Sequence, residues 1–492
     1  MSSVDQSDRP SSEPETRAAP VQRSWLIRAV PGLLLGIALV AVLVALLIGA
    51  NSGLSHHEST EFSFGPFDVV IVYAIPTVAM VVAGLLVTIG SVLFVHGLDA
   101  WAARRVTRPD RRPREASERP LRSEATRNRR SGTISVTALI PARNEEEDLP
   151  FTIASLRRQT RPPAAIWVIA DNCTDRTADV ARELGANVFT TVDNHNRKAG
   201  GLNQLLRQLL PTLGPLDVIL VMDADTVIVD DFLERGIAEF DAAPDLDAVG
   251  GVFFGNEAPG LLAQFQRNEY LRYSRDISRR RGRVFVLTGT ASLFRADALV
   301  AVAKSRGSSL PGVEGNVYDV YSLTEDNELT LALKTLGASM ISPQFCRVRT
   351  ELMPTWGDLW RQRQRWQRGA LENIGMYGLT SASARYWVQQ FALGYGVLAL
   401  MSYLALSALA VFTFGVFVLV VFWVIVGGLF LIERTVTVWS GGWRARLLAM
   451  PLVVELVYAA FLQLVYLKSL IDIVLGRSKR WNAAIVHPVA AT

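Results

Sequence analysis

The residues best placed to do chemistry in this 492-residue chain are two aspartates at the end of an apolar run. Asp223 and Asp225 follow residues 218–222, five apolar residues in succession that predict a buried strand. Open α/β sheets bind ligands at the carboxyl ends of their strands. Carboxylate oxygens suit a hard divalent cation, Mg²⁺ or Mn²⁺, which commonly also holds a phosphate. A strand that ends in a polar turn would look the same, so these two residues alone leave metal binding open.

Further carboxylates follow two other apolar runs. Glu145 comes after one predicted strand, and Asp171 and Asp175 come after the next. Side chains at such strand ends can accept hydrogen bonds from the N–H and hydroxyl groups of a ligand. Aspartate is also a typical cap of a following helix, which the pattern places at 174–184. We expect Asp175 to cap the helix, whereas the position of Asp171 leaves both roles open.

A lysine and a pair of acids stand at two predicted helix starts. Lys198 precedes the helical pattern 199–210 among small residues, where backbone amides help to bind a phosphate; exposure to solvent is the alternative. Glu325 and Asp326 follow Thr324. A carboxylate there can take a proton from an attacking hydroxyl group. A threonine cap with acids in the first helical turn accounts for the same residues structurally, and both interpretations can hold.

The elements that must position these residues alternate along the middle of the chain. Apolar runs with helical patterns between them extend from about residue 134 to 341. This alternation predicts an α/β fold with a mostly parallel, Rossmann-like sheet. The predicted strands are 136–140, 166–170, 187–191, 218–222 and 248–254.

The composition predicts membrane segments on both sides of this region. Half of the residues are hydrophobic, the mean hydropathy is +0.24, and a bilayer span needs ~20 apolar residues. Five spans are expected: one in each of 25–50, 69–98 and 447–467, and two in 388–432, which contains no charged residue. The length of the first run, and the second run after it, argue against a cleaved signal peptide.

The charge distribution orients the predicted spans. Residues 104–130 contain eleven arginines and four acidic residues, and such clusters usually lie on the cytoplasmic side and contact anionic lipids. Nucleic-acid binding is disfavoured because no aromatic residues are interleaved. Five spans would leave Arg477, Lys479 and Arg480 outside, against the positive-inside tendency. The last segment is therefore interfacial or re-entrant, or the tendency fails here.

Tryptophan and arginine recur together after residue 353. Trp356, Trp360 and Trp366 stand at helical spacing among four arginines. Tryptophan on one face of a helix and arginine on the other suit a helix that lies in the membrane interface. Gln362, Arg365 and Trp366 also form the pattern Q-x-x-R-W.

Four motifs in this order resemble those of the membrane-embedded family 2 glycosyltransferases, the group that contains poly-N-acetylglucosamine synthase, hyaluronan synthase and cellulose synthase. The similarity covers roughly residues 134–370. It implies a Rossmann-like GT-A catalytic domain inserted between α-helical transmembrane segments. The motifs are the strand ends at 140–146 and 169–175, the segment 196–203, the aspartates at 223–225, and the acids at 324–326 with Q-x-x-R-W at 362–366.

The resemblance implies a donor site for a UDP-sugar. Asp171 would contact the uracil, with Glu145 nearby. Lys198 and Asp223 would lie at the diphosphate, and Asp225, with Asp223, would coordinate Mg²⁺ or Mn²⁺. A bound cation neutralises a leaving pyrophosphate without any proton transfer.

The same resemblance implies the catalytic and acceptor residues. Asp326 would be the base, with Glu325 beside it. Arg365 could pair with the pyrophosphate and Trp366 could stack on a sugar ring; lipid contact and interfacial anchoring are the alternatives for these two. The implied donor contacts in Q-x-x-R-W are Gln362, Arg365 and Trp366, and the acceptor contacts are Thr288, Gly289 and Thr290. The two threonines depart from the Cys-Gly-Ser or Ser-Gly-Ala of better-known members, which leaves the acceptor open.

The expected function is a processive inverting glycosyltransferase that extends a β-linked polysaccharide from a UDP-sugar, UDP-N-acetylglucosamine first and UDP-glucose second. One alternative adds a single sugar to a lipid acceptor; another is a non-catalytic component that binds nucleotide-sugar or polymer in an export complex. We expect the protein to lie in the inner (plasma) membrane with its catalytic domain in the cytoplasm, to contact membrane lipids and to bind no nucleic acid. Whether it has an accessory export subunit stays open.

The expected divisions of the chain are a disordered tail at 1–24, two transmembrane helices at 25–98, a basic linker at 99–132, the GT-A domain at 133–350, interfacial helices at 351–386, about three spans at 387–475 and a tail at 476–492.

Overall fold

The computed structural model describes residues 59–64, 67–72, 132–280, 282–414, 416–420, 428 and 431–477. The predicted tail at 1–24, the span predicted at 25–50 and nearly all of the basic linker lie outside the described residues. The strands are β1 (Ser59–Phe64), β2 (Phe67–Val72), β3 (Ser135–Ala142), β4 (Ala165–Ala170), β5 (Asn187–Thr190), β6 (Asp217–Met222), β7 (Val227–Ile228), β8 (Leu246–Gly250), β9 (Val252–Gly255), β10 (Ala291–Arg295), β11 (Ser339–Ile341), β12 (Arg347–Thr350) and β13 (Val416–Val420). The helices are α1 (Leu149–Arg157), α2 (Thr177–Glu183), α3 (Arg197–Leu209), α4 (Phe232–Ala242), α5 (Leu261–Arg279), α6 (Ala296–Ser305), α7 (Glu325–Thr335), α8 (Trp356–Tyr377), α9 (Ala384–Phe414), α10 (Gly442–Ala449) and α11 (Leu452–Val474).

Seven strands form the central sheet, in the order β11-β8-β10-β6-β3-β4-β5. The neighbours β6, β3, β4 and β5 run parallel to one another, and β11 runs parallel to β8. Only β10, among the described strands of this sheet, runs antiparallel to its neighbours, β6 and β8. The predicted α/β fold is thus confirmed as a mixed sheet that is mostly parallel.

Helices cover both faces of this sheet. One buried cluster contains Leu202 of α3 and Leu333 of α7, and the other contains Ile153 of α1 and Phe240 of α4. Five of the six residues of β6 are buried, because a strand in the middle of such a sheet is covered on both sides. This is why its sequence is a continuous apolar run and not an alternating one.

The strand predicted at 248–254 is two strands in the structure. β8 belongs to the central sheet, and β9 belongs to a small sheet with the order β7-β12-β9. Gly251 separates them, and a Cβ at this glycine would lie 2.5 Å from Cγ2 of Val348 and 2.8 Å from the carbonyl oxygen of Ala291. The missing side chain therefore lets the chain leave one sheet and enter the other, which an uninterrupted apolar run does not reveal.

The apolar segments differ in part from the five predicted spans. Two described helices are long and apolar enough to cross a membrane, Ala384–Thr413 and Val453–Val474. Residues 416–420, predicted within a further span, instead form β13, which pairs with β2. Residues 69–72, the start of another predicted span, lie in β2. Both short stretches are rich in β-branched residues, and a short apolar run cannot distinguish a strand from a helix.

The tryptophan-rich segment is one helix, α8, which packs on α7 and α11. The rings of Trp356 and Trp360 lie edge-on against Phe461 of α11, at centroid distances of 5.0 and 5.6 Å. Arg363 and Arg368 on the same helix are buried. The two tryptophans therefore pack on another helix of the protein, and these two arginines face protein and not water. The interfacial position of this helix stays a prediction.

Candidate active site

The chemically active side chains gather at one edge of the central sheet. Parallel β6, β3 and β4 all end there, so the residues after each strand come together: Asp223 after β6, Glu145 after β3 and Asp171 after β4. The antiparallel β10 begins at the same edge, where Ala291 pairs with Met222. Residues 288–290 therefore lie beside the aspartates, as the backbone bond from the Asp223 N–H to the Thr290 carbonyl (3.2 Å) confirms.

Asp171 is held in a fixed position with one oxygen available. Its Oδ1 accepts hydrogen bonds from Thr191 Oγ1 at 2.9 Å, Asn194 Nδ2 at 2.7 Å and Asn172 Nδ2 at 3.1 Å. Its Oδ2 has no hydrogen-bond partner within the part of the chain that the structure describes. The residue as a whole is buried, and this oxygen is free to accept from a donor group of a ligand.

Asp175 takes the structural role predicted for it. Its Oδ1 accepts from the N–H of Thr177, at 3.0 Å, and from Thr177 Oγ1, at 2.6 Å. Thr177 is the first residue of α2, so the carboxylate satisfies an amide at the helix start.

Lys198 joins three of the sequence motifs. Its Nζ lies 2.5 Å from Asp223 Oδ1 and 3.4 Å from Glu325 Oε1. Although burial opposes the positive charge, the two carboxylates raise the pKa of Lys198 well above its ordinary value. Conversely, burial favours neutral Glu325, but Lys198 and the Arg365 guanidinium hold the pKa of Glu325 below its usual range. The lysine is therefore a fixed cation at the centre of the site.

Asp225 and Glu145 are two further acids near Asp223, because the charges of Asp225 and Asp223 both act on Glu145. Burial raises the pKa of Asp225 to about 7, and the Asp223 carboxylate adds to the shift. Burial likewise raises the pKa of Glu145 to about 8, and Asp225 adds to it. No cation of the described residues forms an ion pair with Asp225, whose Oδ1 accepts only from Thr226 Oγ1 at 3.0 Å. Acids that repel one another in this way favour binding of a cation.

The residues present fit a divalent cation that is shared with a phosphate. No group of three or more potential metal ligands exists among the described residues, so the protein does not form a full coordination cage there. Mg²⁺ is commonly bound by one or two carboxylates, with water and substrate phosphate as the other ligands. Asp225 and Asp223 supply such a pair.

Asp326 lies on the first turn of α7, beside Gly289. Its Oδ2 accepts from the N–H of Gly289 at 3.1 Å, and its Oδ1 accepts from the N–H of Asn327 at 2.7 Å. Burial raises its pKa to about 6, and the neighbouring Glu325 carboxylate adds to the shift. Asp326 is thus a carboxylate at neutral pH with more than ordinary proton affinity, which suits a general base.

α8 brings the Q-x-x-R-W motif to the start of α7. Gly369 makes this approach close: a Cβ at Gly369 would lie 2.4 Å from Thr324 Oγ1. Asn373 Nδ2 then donates to the Thr324 carbonyl at 3.2 Å and to Asn327 Oδ1 at 3.0 Å. Arg365, one turn earlier on α8 than Gly369, acts on the charge of Glu325.

Arg363 holds the other two motif residues. Its guanidinium lies 4.3 Å from the centroid of the Trp366 ring and donates to Gln362 Oε1. Its Nη2 donates to Glu269 Oε2 at 2.9 Å, and the same oxygen accepts from the Tyr458 hydroxyl of α11 at 2.6 Å. An apolar helix is therefore connected to the motif through two partly buried polar contacts.

Several site residues escape inspection of the sequence. Asn194 and Thr191 orient Asp171, but nothing in their spacing signals it; both simply lie near the end of β5. Arg363 is one of four arginines in its helix, and its contacts with Trp366 and Glu269 distinguish it only in the structure. Thr288 and Thr290, predicted near the acceptor, bond to each other through their hydroxyls at 2.9 Å.

Comparisons with known proteins show which family the sequence resembles. The family model described as "Glycosyltransferase like family 2" matches residues 134–369. The poly-beta-1,6-N-acetyl-D-glucosamine synthase of Staphylococcus aureus (strain COL) is 26% identical over 243 residues, which are 48% of this chain and 55% of that protein. The corresponding synthase of Staphylococcus epidermidis shows the same identity over the same length. The chain thus spans about half the length of the curated relatives it matches.

Solved structures with a similar fold are more distant. A mannosyltransferase, PcManGT from Pyrobaculum calidifontis, in complex with GDP-Man and Mn²⁺, superposes with a TM-score of 0.46 at 15% identity and covers 79% of this chain and 98% of its own. Glucosyl-3-phosphoglycerate synthase from Mycobacterium tuberculosis, in complex with Mn²⁺, UDP and glucosyl-3-phosphoglycerate, gives a TM-score of 0.31 at 16% identity over 55% of this chain and 88% of its own.

Proposed function

Because the chain carries a glycosyltransferase-like family 2 domain at residues 134–369, we propose that it is a membrane-bound inverting glycosyltransferase. It would take a UDP-sugar, UDP-N-acetylglucosamine first and UDP-glucose second, and extend a β-linked polysaccharide. The proposal rests on one observation: three sets of groups lie together at one edge of the sheet. They are Asp171, held by Asn194, the Lys198–Asp223 ion pair, and the Asp326 carboxylate with its raised pKa. The catalytic domain would face the cytoplasm at the inner membrane, with α9 and α11 as spans.

The donor would lie along the strand ends. The free Oδ2 of Asp171 would accept from the base of the nucleotide, and Lys198 and Arg365 would neutralise the diphosphate. Asp225 and Asp223 would hold Mg²⁺ or Mn²⁺, which when bound stabilises the charge that develops on the leaving diphosphate. Lys198 would then exchange part of its contact with Asp223 for phosphate oxygens, so the ion pair keeps the lysine in place before the donor arrives.

Asp326 would act as the base. As the acceptor hydroxyl attacks the anomeric carbon, its proton passes to the Asp326 carboxylate, a new C–O bond forms, and the bond to the diphosphate oxygen breaks. The backbone N–H groups of Gly289 and Asn327 keep the carboxylate aimed at the acceptor side. Trp366, fixed by Arg363, offers its face to a sugar ring.

The pH dependence should report Asp326. Its pKa lies near 6 and the reactive form is deprotonated, so kcat/KM should be level above that pH and fall about tenfold per unit below it. Rates should be measured at saturating Mn²⁺, so that protons do not compete with metal at Asp225. The Asp326→Asn variant should not show this fall of kcat/KM at low pH. An unchanged fall in that variant would assign the titration to another group.

Gly289→Ala should impair turnover. The added Cβ would lie 3.0 Å from Lys198 Nζ, 3.6 Å from Asp326 Oδ2 and 3.7 Å from Asp223 Oδ2, so it would stand between all three groups. Because small misplacements in a reacting geometry are costly, kcat/KM should fall about 100-fold. Gly357→Ala, where the nearest atoms lie at 3.7 Å, is the matched control and should leave UDP release unchanged. Equal rates in both variants would contradict this placement of the three groups.

Activity itself is tested with the purified full chain in detergent. Given UDP-N-acetylglucosamine or UDP-glucose and Mn²⁺, the protein should release UDP, and a ladder of long polymers should appear by mass analysis. A product with one added sugar on a lipid would replace the processive assignment by single addition. No UDP release with any common donor would leave the non-catalytic binding component as the remaining function.

A further inference from the structure

A second cleft, of about 580 Å³, lies between the small sheet and the segment that leads into α10. β9 and β12 form one wall, α5 forms another, and residues 440–444 form the third. None of the candidate active-site residues lines it. Four arginines do: Arg267, Arg347, Arg349 and Arg444. We refer to this site as the arginine cleft.

The positive charge of the arginine cleft is not neutralised by the protein. None of the four arginines forms an ion pair with a carboxylate of the described residues, and Glu257 is the one acidic residue in the lining. The buried Nε of Arg267 has no hydrogen-bond partner. Like charges gathered in a cleft attract an anion, and a buried donor without a partner favours one that accepts hydrogen bonds.

The arrangement of the arginines suits a phosphate group. Arg347 and Arg349 are exposed and alternate with buried Val348 along β12, so both point to the same face, about 7 Å apart along the strand. The Arg347 guanidinium lies 5.6 Å from the centroid of the Phe254 ring, which limits its orientations. Guanidinium groups present paired donors that match phosphate oxygens, so two of them can hold one phosphate from both sides.

The surroundings indicate where that phosphate comes from. Trp443 and Leu447 of α10 are 67% and 59% exposed, and Trp439 just before α10 is 55% exposed. Three residues after the end of α10 begins α11, whose residues Val453–Val474 are apolar enough to cross a membrane. Exposed tryptophan beside arginine at the end of a span is typical of the headgroup level of a bilayer.

We propose that the arginine cleft binds the phosphate of an anionic membrane lipid. The site is separate from the strand-end acids and does not depend on the proposed transfer reaction. Bound lipid would offset part of the positive charge of the four arginines and fix the small sheet and α10 against the membrane surface.

The test counts lipids on the full chain, purified in an uncharged detergent, by native mass spectrometry. Phosphatidylglycerol should bind, and phosphatidylcholine should not bind above background. Arg347→Gln combined with Arg349→Gln should weaken phosphatidylglycerol binding about 25-fold, from about a factor of five per arginine near a membrane surface. Arg176→Gln with Arg182→Gln removes the same charge from two exposed ion pairs on α2 and should leave binding unchanged.

Two outcomes would overturn the proposal. One is equal phosphatidylglycerol binding by the wild type and by the variant that lacks Arg347 and Arg349. The other is a rise in melting temperature with inorganic phosphate that this variant abolishes, without any arginine-dependent lipid binding; the cleft would then take a free anion. Arg444→Gln, at an exposed position in the first turn of α10, should also weaken lipid binding and serves if the double variant does not fold.

Discussion

Asp326→Asn should lower the rate of UDP release by about 100- to 10,000-fold, the usual contribution of a general base. Asparagine keeps an oxygen for the Gly289 N–H but cannot accept the proton of the acceptor. Because the donor side of the site keeps Asp171, Lys198 and Asp225, binding of UDP with Mn²⁺, measured by calorimetry, should change by less than about twofold.

Two further variants serve as controls for this result. Glu325→Gln removes a partner of Lys198, so it should weaken donor binding. It also removes a carboxylate that raises the pKa of Asp326, so the fall of kcat/KM at low pH should remain but move to lower pH. Asp179→Asn, on the exposed surface of α2, should change neither quantity. Turnover retained in Asp326→Asn would exclude Asp326 as the base, whereas lost UDP binding would show that the variant damages the whole site.

Asp225→Asn should remove the dependence of donor binding on Mn²⁺. A neutral amide is a poor ligand for a hard cation, and the loss of the charge stabilisation that the cation supplies should reduce turnover by about 1,000-fold. The direct readout is the fraction of Mn²⁺ that remains free, measured by electron paramagnetic resonance with UDP present. Asp230→Asn, at an exposed acid beyond the same loop, is the matched control. Normal Mn²⁺ binding by Asp225→Asn would contradict the assignment.

The stability of Asp225→Asn checks that it folds. Native Asp225 has a pKa of about 7, above the ordinary value of 3.8. A raised pKa in the fold means that the protonated acid is favoured there, and that stability is lost as the pH rises through the folded pKa. Asparagine does not ionise, so at pH 8 without metal the variant should melt no lower than the wild type.

The predictable part of the molecule lies where one local pattern determines the outcome. An apolar run followed by an acid predicts a strand with a carboxylate at its end, and β6 with Asp223 follows that prediction. Which acids then act together depends on strand order. The β6-β3-β4 neighbourhood brings Glu145 and Asp171 to Asp223, and no short pattern encodes it.

The unpredicted part depends on packing between distant segments. Arg363 is buried because Glu269 lies beside it, 94 residues away in the chain. The change of sheet at Gly251 depends on the close approach of Val348. β13 required a partner strand, β2, before its apolar residues could pair as a strand. In each case the local sequence is compatible with two structures, and the neighbour decides between them.

The contact of Tyr458 with Glu269 would make the site sensitive to the thickness of the host membrane. α11 would respond to a bilayer thinner or thicker than its apolar length by tilting. Because Tyr458 holds Glu269 at 2.6 Å and Glu269 holds Arg363 at 2.9 Å, a change in tilt shifts the support on which the Trp366 ring rests. We therefore expect the acyl-chain length of the surrounding lipid to change the rate of the proposed reaction, much as temperature or salt changes the rate of a soluble enzyme.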